Sequence, residues 1–434
     1  MRKSLCALAV VGALGAMQVA HADTTVQLYG HLDLSVDDVD NGLSGRTGID
    51  PASKNGWLPA ISSNLSRVGL RGYHDLGGGL KAVMQVETQI DVSATPGTTS
   101  DNRVQGAFAS RNSFLGLAGG WGAVKIGKTD APYKLSTGRM DPFSATIGDY
   151  NSIMGNTGGD NRAEFDWRLS HAVWYESPDM SGFRVNALYS PGQNRSNDNS
   201  IQAQGEPNCT GGNLPPCGDG SFGNAYSIAG IYANGPLYAT VAWELHKDTN
   251  RTGDELGAGG GTVPPVGSVG IADEDAWKIG AQYKFATHTT VNAIYEKMHR
   301  AAPTDTYNER SRDGYWLAAT QNVTEQDDVN VGWAHAGKSP GNPGSGLLAD
   351  PTAVNYGSSI DNESNMYAIG YKHHFADKQT TWYAVYAIQK NHDGAHYDLG
   401  ASGHGITTDC HDAAGVCFAG NKIQGVSVGM TYNF

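Results

Sequence analysis

The chain has 434 residues and carries 30 Lys and Arg against 43 Asp and Glu, a formal net charge of −13. This balance excludes nucleic-acid binding through a general basic surface. Beyond residue 23, no apolar run approaches the roughly 20 residues that a membrane-spanning helix needs. The mean hydropathy of −0.39 fits a soluble protein, and it also fits a membrane β-barrel, where only alternate residues face lipid.

The first 22 residues are organised like a secretory signal peptide. Arg2 and Lys3 give a positive start, an apolar run follows over 5–19, and Ala20-His21-Ala22 forms a cleavage site between small residues. The apolar run is shorter than the roughly 20 residues of a membrane anchor. We therefore predict that residues 1–22 are removed and that 23–434 form the exported, mature protein.

Apolar and polar side chains alternate along 26–37, the first candidate strand. One face holds Val26, Leu28, Gly30, Leu32, Leu34 and Val36, and the other is mainly polar. This period of two predicts a β-strand with one apolar face.

The same alternation continues to the end of the chain. Seven short turns alternate with eight long loops over 40–64, 94–107, 130–168, 191–223, 248–273, 299–311, 338–361 and 391–421. Sixteen strands are predicted at 26–37, 66–75, 80–92, 110–118, 121–129, 169–177, 182–190, 224–234, 236–247, 275–285, 289–298, 312–322, 328–336, 363–375, 379–390 and 422–434.

The polar face of these strands is too charged to be the packed core of a soluble sandwich. Arg67, Lys81, Glu87 and Lys278, for example, all alternate with apolar neighbours, and burying unpaired charge is costly. The apolar face must then contact lipid and the charged face must contact water, with the sheet closed so that no edge is left unpaired. The sequence predicts an all-β, sixteen-stranded antiparallel transmembrane barrel with short periplasmic turns and long external loops.

The final strand carries a second signal. Its apolar face ends with Tyr432 and Phe434, the last residue of the sequence. A terminal aromatic of this kind resembles the signal that the outer-membrane barrel assembly machinery recognises. We therefore expect that machinery to be a partner that binds through Phe434.

Four cysteines follow the predicted cleavage site, in two close pairs: Cys209 with Cys217, and Cys410 with Cys417. In an oxidising compartment two local disulfides are the natural interpretation. The alternative is a metal site, because His404 and His411 flank the second pair. That spacing matches no standard zinc pattern.

No catalytic constellation is supported, so neither enzyme activity nor a cofactor is expected. Gly-x-Ser-x-Gly occurs at 337–341 and at 425–429. The first match lies in a loop and the second inside the last strand, whereas a nucleophile elbow needs a strand, a turn and a helix.

The chain resembles the trimeric Gram-negative porins of the Neisseria and Burkholderia type over its whole mature length. The resemblance rests on the order and spacing of several segments. They are Val26-Gln27-Leu28-Tyr29-Gly30, Ser66-Arg67-Val68-Gly69-Leu70-Arg71-Gly72, Asp75-Leu76-Gly77-Gly78-Gly79-Leu80-Lys81-Ala82, Arg111 with Gly116-Leu117, Gly122-Ala123-Val124-Lys125-Ile126-Gly127, Tyr175-Glu176-Ser177-Pro178 and Thr431-Tyr432-Asn433-Phe434. It implies a homotrimer of sixteen-stranded barrels and a third long loop, 130–168, folded into the lumen as a constriction.

If the third loop folds inward, basic side chains of the wall face acidic side chains of the loop across a narrow passage. Such opposed charges create a strong transverse field, and clustered arginines predict a modest preference for anions. The predicted wall residues are Arg67, Arg71, Arg111, Lys125, Arg168 and Arg184, and the predicted loop acids are Asp141, Asp149, Asp160, Glu164 and Asp166.

The predicted function is passive diffusion of small hydrophilic solutes and ions through water-filled pores in the outer membrane. The expected surroundings are outer-membrane lipid and lipopolysaccharide. Two alternatives stay open at this point: a substrate-selective porin of the same architecture, and a non-channel barrel that acts as an outer-membrane enzyme or adhesin.

Overall fold

The computed structural model describes residues 24–40, 42, 56–93, 108–155, 165–191, 222–250, 271–301, 311–338, 361–399 apart from 362, 394 and 396, and 420–434. The predicted signal peptide, 1–22, and the two cysteine pairs lie outside these residues. Within them, no helix is both long and apolar enough to cross a membrane.

The described residues form one antiparallel sheet, one short α-helix, α1 (Pro132–Thr137), and two 3₁₀ turns, Gly138–Met140 and Tyr150–Ser152. The strands are β1 (Thr24–Asp40), β2 (Trp57–Ser63), β3 (Arg67–Gly77), β4 (Leu80–Gln89), β5 (Ser113–Gly119), β6 (Gly122–Asp130), β7 (Arg168–Glu176), β8 (Phe183–Ser190), β9 (Ala225–Asn234), β10 (Leu237–Asn250), β11 (Ile271–Lys284), β12 (Thr289–Arg300), β13 (Arg312–Asn322), β14 (Asp327–Ala336), β15 (Ser364–His374), β16 (Thr380–Asn391) and β17 (Lys422–Asn433).

Each strand pairs with its neighbours in chain order, and the sheet closes on itself between β1 and β17. Their register runs from His31 opposite Asn433 to Asp40 opposite Gln424. Beyond this ladder, the Gly30 amide donates to the Phe434 carbonyl at 2.9 Å and the Phe434 amide donates back at 3.1 Å. The closed barrel predicted from the alternation is therefore confirmed.

Strands β2 and β3 occupy a single position in the wall. Both pair with β1, β2 with 34–40 and β3 with 24–31. The break between them is a bulge at Leu65, whose φ of 55° is unusual for a residue with a side chain. Ser66 repairs the break, since its hydroxyl bonds both backbone groups of Asp33. Counting β2 and β3 as one interrupted strand gives the sixteen that were predicted.

The prediction that 40–64 is entirely loop is wrong at its end, because β2 spans Trp57–Ser63. Pro59 lies within β2, opposite Asp38, and proline normally argues against a strand because it lacks an amide hydrogen. Alternation fails here as well, since the bulge interrupts the pattern before β3. The other strands lie where they were predicted, with ends that differ by a few residues.

The two faces of the wall behave as the alternation predicts. In β1, Leu34 and Val36 are 38% and 58% exposed on the outside. Asp33 and Asp37, on the lumen side, are 2% and 0% exposed. Large apolar side chains are exposed on the outside around the barrel, as a lipid-facing surface requires.

The apolar inner face of β16 explains why its register was ambiguous from sequence. Trp382 and Tyr386 point outward, whereas Tyr383, Val385 and Ala387 point inward and are buried. The inward three belong to a buried cluster that also contains Phe143 from the loop after β6. A polar inner face is therefore not required where a loop covers the wall.

Candidate pore constriction

The third loop folds into the lumen and lies along the inner wall. It leaves β6 through α1, where Pro132 suits the first helical turn because its missing amide hydrogen would have had no partner there. The Tyr133 amide donates to the Ser227 hydroxyl of β9 at 3.0 Å. Further along, the Trp316 indole of β13 donates to the Met140 carbonyl at 3.1 Å, and Lys372 of β15 donates to the Pro142 carbonyl at 2.6 Å. The loop thus follows the wall from β9 to β15.

Apolar packing fixes the middle of the loop. The Phe143 ring meets the Trp316 ring edge-on, with centroids 6.3 Å apart and planes at 82°. The wall leaves space for Phe143 by having glycine opposite it. A Cβ at Gly332 or Gly370 would lie 2.9 or 3.0 Å from the Phe143 ring. Glycine is therefore needed at these two wall positions for close approach, not for backbone conformation.

Glu296 of β12 holds both ends of the described loop segment. Its Oε2 accepts from the Tyr133 hydroxyl at 2.8 Å, and its Oε1 accepts from the Gly155 amide at 2.8 Å. Burial raises the pKa of Tyr133 well above its ordinary value, and the Glu296 charge raises it further. The hydroxyl therefore stays protonated and keeps donating to the carboxylate.

Two buried cations flank Glu296 and complete what we call the loop anchor: Lys278, Glu296 and Arg312. Lys278 forms an ion pair with Asp166, where the loop returns to the wall, and its ammonium lies 4.0 Å from the Tyr133 ring centroid. Arg312 lies 3.9 Å from Glu296 and donates to the Ile153 carbonyl. All three side chains are fully buried.

A different group of charges lies on the β3–β7 side of the lumen. Arg111 donates from Nε to Glu87 Oε1 at 2.6 Å, and Arg67 lies 3.7 Å from the second oxygen of the same carboxylate. The Tyr29 hydroxyl also donates to Glu87, at 2.9 Å. Glu87 therefore neutralises one of the two arginines that approach it.

Arg168 and Lys134 share a second carboxylate, Asp130, at 3.0 and 3.3 Å. Arg168 also donates to the Asn112 side chain at 2.6 Å. The positive charges of Arg111 and Arg168 are close enough to repel each other. Arg67, Arg111, Arg168 and Lys134, with Glu87 and Asp130, are hereafter the basic cluster. In it, four cations share two carboxylates.

The other predicted wall residues lie outside this cluster. Arg71 is exposed, donates to Gln27 at 3.0 Å and has its guanidinium 4.9 Å from the Tyr29 ring centroid. Lys125 is paired with Glu176 at 2.7 Å. Arg184, on β8, is exposed.

The loop acids do not lie where a field across the lumen needs them. Asp141 accepts from the Phe143 amide at 2.8 Å and the Tyr150 amide at 3.1 Å. Asp149 accepts from the Ala145 amide at 2.9 Å. Both side chains are buried and serve the fold of the loop itself. Asp166 is paired with Lys278 of the loop anchor, and Asp160 and Glu164 lie outside the described residues. The predicted acidic face thus finds no support in the three described carboxylates.

Sequence reasoning missed several residues of the site. Arg139, exposed in the 3₁₀ turn Gly138–Met140, lies 4.4 Å from the Tyr238 ring centroid, and Lys134 joins the basic cluster. Among the described loop residues, these cations are more exposed than the buried carboxylates of Asp141, Asp149 and Asp166. Loop composition could not have shown this, because it does not say which charged side chains are buried.

The C-terminal aromatics lie on the outside of the barrel. Tyr432 and Phe434 stack with centroids 5.8 Å apart and are 40% and 42% exposed. A Cβ at Gly30 would lie only 2.2 Å from the Phe434 ring, so this ring covers a glycine of β1. Their predicted role as an assembly signal stays a prediction.

One group of three possible metal ligands occurs among the described residues: Asp361, Glu363 and His392. It lies at the outer ends of β15 and β16. Its His392 Nδ1 and Asp361 Oδ2 atoms are 2.7 Å apart. None of its members belongs to the basic cluster or to the loop anchor.

Comparison with known proteins agrees with this architecture. A family model described as Gram-negative porin matches residues 7–394. Outer membrane porin protein 32 of Delftia acidovorans is 27% identical over 435 residues, covering 100% of both chains. Major outer membrane protein P.IA of Neisseria meningitidis serogroup C is 30% identical over 271 residues, covering 59% of this chain and 64% of the relative.

The fold has a similar solved structure. The anion-selective porin from Comamonas acidovorans aligns with a TM-score of 0.65 at 24% identity, covering 95% of this chain and 100% of the other. The resemblance inferred from sequence motifs is confirmed. The chain belongs to the Gram-negative porin family and is an outer-membrane channel protein.

Proposed function

We propose that this porin conducts small hydrophilic solutes with a preference for anions, set by the basic cluster, and that it does so as a trimer. The observation that carries the selectivity is that four cations share two carboxylates at one side of the lumen. The uncompensated positive charge raises the local concentration of anions in the narrow passage.

Burial of the loop acids supports the same sign of selectivity. Asp141 and Asp149 are turned into the loop and Asp166 is neutralised by Lys278. Distant acidic loops contribute little, because charges are screened within about 8 Å at physiological salt. The net charge of −13 therefore does not predict the selectivity of the pore. The solved neighbour from Comamonas acidovorans is itself described as anion-selective.

The reversal potential in a salt gradient across a planar bilayer tests this proposal. The wild type should prefer anions, and Arg67→Ala with Arg168→Ala, which leaves Glu87 paired with Arg111 and Asp130 with Lys134, should shift the permeability ratio toward cations. A unit charge about 10 Å from an ion in water contributes roughly 0.4 kcal/mol, or about twofold, with opposite signs for an anion and a cation. Each lost charge should therefore lower the anion-to-cation ratio about fourfold, and the pair about sixteenfold, at low salt.

Lys297→Ala is the matched control. Lys297 is exposed on the outward face of β12, so its loss removes one positive charge without touching the lumen, and the ratio should not change. A cation-selective wild type would overturn the proposal, as would an unchanged ratio in the double variant. Block by one class of solute would favour the substrate-selective alternative.

We propose the trimer because one side of the barrel wall is built from short strands. Strands β5 to β8 have 7, 9, 9 and 8 residues, whereas β10 and β11 have 14 each. At about 3.3 Å per residue and a tilt near 45°, an eight-residue strand rises about 19 Å, less than the apolar band of about 25 Å. Its outward side is nevertheless apolar, with Leu115 and Ile126 60% and 57% exposed. Contact with neighbouring protomers would cover this low wall.

Chemical crosslinking in mild detergent tests the trimer and should give a three-protomer product, whereas protein that is heated before crosslinking should give monomers. A strictly monomeric product would overturn it. Recognition of Phe434 by the assembly machinery and contact with lipopolysaccharide are proposed alongside it, because Phe434 is exposed at the seam and the outer wall is apolar.

A further inference from the structure

His31 lies on the lumen face of β1, next to the basic cluster. Along the strand it precedes Asp33 on that face, and its backbone is directly opposite Arg67 of β3 on one side and Asn433 of β17 on the other. Side chains at directly opposite positions of an antiparallel pair share a face, with their Cβ atoms about 4.5–5.5 Å apart. The imidazole, which is 17% exposed, is therefore an immediate neighbour of an arginine of the cluster.

The hydrogen bonding of His31 leaves one ring nitrogen available for a proton. Its Nδ1 lies 2.7 Å from the side-chain oxygen of Asn433, and an amide oxygen can only accept, so Nδ1 carries a hydrogen. Among the described residues, Nε2 has no hydrogen-bond partner, and a carboxylate oxygen of Asp33 lies 3.9 Å from it. A proton on Nε2 would therefore form an ion pair with Asp33 without breaking the bond to Asn433.

Charges of both signs surround the imidazole. Arg67 and Arg111 repel a positive charge on the ring, and Glu87 attracts it. While the ring is neutral, the negative charge of Asp33 lies beside the basic cluster and offsets part of its field. The charged or titratable groups around the ring are Tyr29 and Asp33 of β1, Arg67 of β3, Glu87 of β4, Arg111, Tyr383 of β16 and the terminal carboxylate of Phe434. An imidazole ordinarily changes its charge between pH 5 and pH 8, whereas these other groups ordinarily do not.

We propose that His31 is a further selectivity-determining residue of the pore, whose protonation adds a positive charge beside the basic cluster and strengthens the preference for anions in acid. The added charge offsets Asp33 and leaves the arginines less compensated. One unit charge at about 10 Å changes the anion-to-cation ratio about fourfold at low salt. This inference rests on the proposed anion preference and deepens it, because it names a residue that makes the preference depend on pH.

The reversal potential of the full-length porin in a potassium chloride gradient, measured at pH 8 and at pH 5, tests the role of His31. The wild-type ratio of anion to cation permeability should rise about fourfold from pH 8 to pH 5. His31→Gln is neutral at both values, so its ratio should match the wild type at pH 8 and should rise much less. His299→Gln is the matched control, since His299 also lies near an aspartate, Asp275, at 3.2 Å, but it is on the outward face of β12. The control should rise like the wild type.

The outcomes separate the role of His31 from the channel function. A wild type that prefers cations at both pH values would defeat the proposed function itself. An anion-selective wild type whose ratio rises equally in His31→Gln, or does not rise at all, would overturn the role of His31 alone. If His31→Gln does not assemble, His31→Lys carries a fixed charge and should show the acidic wild-type ratio already at pH 8. A wild-type pH dependence in the lysine variant would then count against the inference.

Discussion

Charged side chains have different roles on the two sides of the lumen. In the loop anchor, Lys278, Glu296 and Arg312 are fully buried. In the basic cluster, the Arg67 and Arg168 side chains are 31% and 18% exposed. The charges of the anchor interact with each other and with the loop, whereas Arg67, Arg168 and Lys134 of the cluster stay in contact with water. Burial, more than residue type, decides whether a lumen charge holds a loop or acts on a passing ion.

The largest effect is expected from breaking the anchor. Glu296→Ala removes the acceptor for both Tyr133 and Gly155, and it removes the buried carboxylate that lies 3.9 Å from Arg312. Breaking a buried pair on one side typically costs about 3–5 kcal/mol. We expect a loss of that size in the free energy of unfolding in denaturant, with noisy channel currents as the third loop detaches.

Glu176→Ala is the comparison variant for Glu296→Ala, because it removes a carboxylate that is exposed to solvent. Glu176 also pairs with a lysine, Lys125, but its side chain is 37% exposed. Exposed pairs contribute less than about 1 kcal/mol, so this variant should unfold almost like the wild type. Equal losses in the two variants would contradict the distinction between a buried anchor and a solvated wall.

Glu87→Gln should have a smaller effect than the loss of the anchor. It should change the ratio of anion to cation permeability in the direction opposite to the arginine variants. The amide keeps an oxygen that can accept from Arg111, so the geometry should survive while one negative charge is lost. A unit charge at about 10 Å in water changes an ion's energy by roughly 0.4 kcal/mol. This change has opposite signs for an anion and a cation, so the reversal potential should report an anion preference about fourfold stronger than in the wild type at low salt. A shift toward cations would show that the basic cluster does not govern selectivity.

The smallest expected effect is a pH dependence of loop docking. Burial raises the pKa of Asp141 well above its ordinary 3.8, and the nearby Asp149 charge raises it further, although amides of Phe143 and Tyr150 oppose both. The docked loop therefore holds this proton more tightly than the undocked loop. Docking is favoured at pH below about 4 and weakens as the pH rises above it, until the docked carboxyl ionises.

Current fluctuations of single channels should accordingly increase between pH 4 and pH 8. Asp149→Asn removes the second cause of the raised pKa, so the increase should be smaller in that variant. Fluctuations that grow toward acidic pH would show that the docked carboxylate is ionised and stabilised by its two amides.

Much of the barrel could be predicted because lipid and water impose a period of two on each strand. Leu34 and Asp33 of β1 point as alternation predicts, and so do Arg67 and Arg71 of β3. Prediction failed where polar and apolar residues do not alternate along a strand. Pro59 concealed β2, and the inward apolar residues of β16 made sense only once Phe143 was seen to pack among them.

The site was less predictable than the wall. Alternation places Arg67 and Arg184 in the lumen, but it does not say which carboxylate each arginine meets. That depends on the register between strands, which brings Glu87 between two arginines. The destination of Asp141 depends on free amides in a loop with no periodicity. Charge at the constriction therefore could not be read from the composition of the loop.

The seam between β1 and β17 has a consequence for biogenesis. It joins residues as far apart as His31 and Asn433, which are 402 positions apart and hydrogen-bonded at 2.7 Å. Neighbouring strands can form hairpins as soon as they emerge, but bringing the two ends together carries the largest loop-closure entropy of any pairing in the sheet. Until β1 and β17 pair, both edge strands expose unpaired amides and carbonyls to any other chain. Closure should thus be the last and most aggregation-prone step of assembly, when a chaperone in the periplasm is most needed.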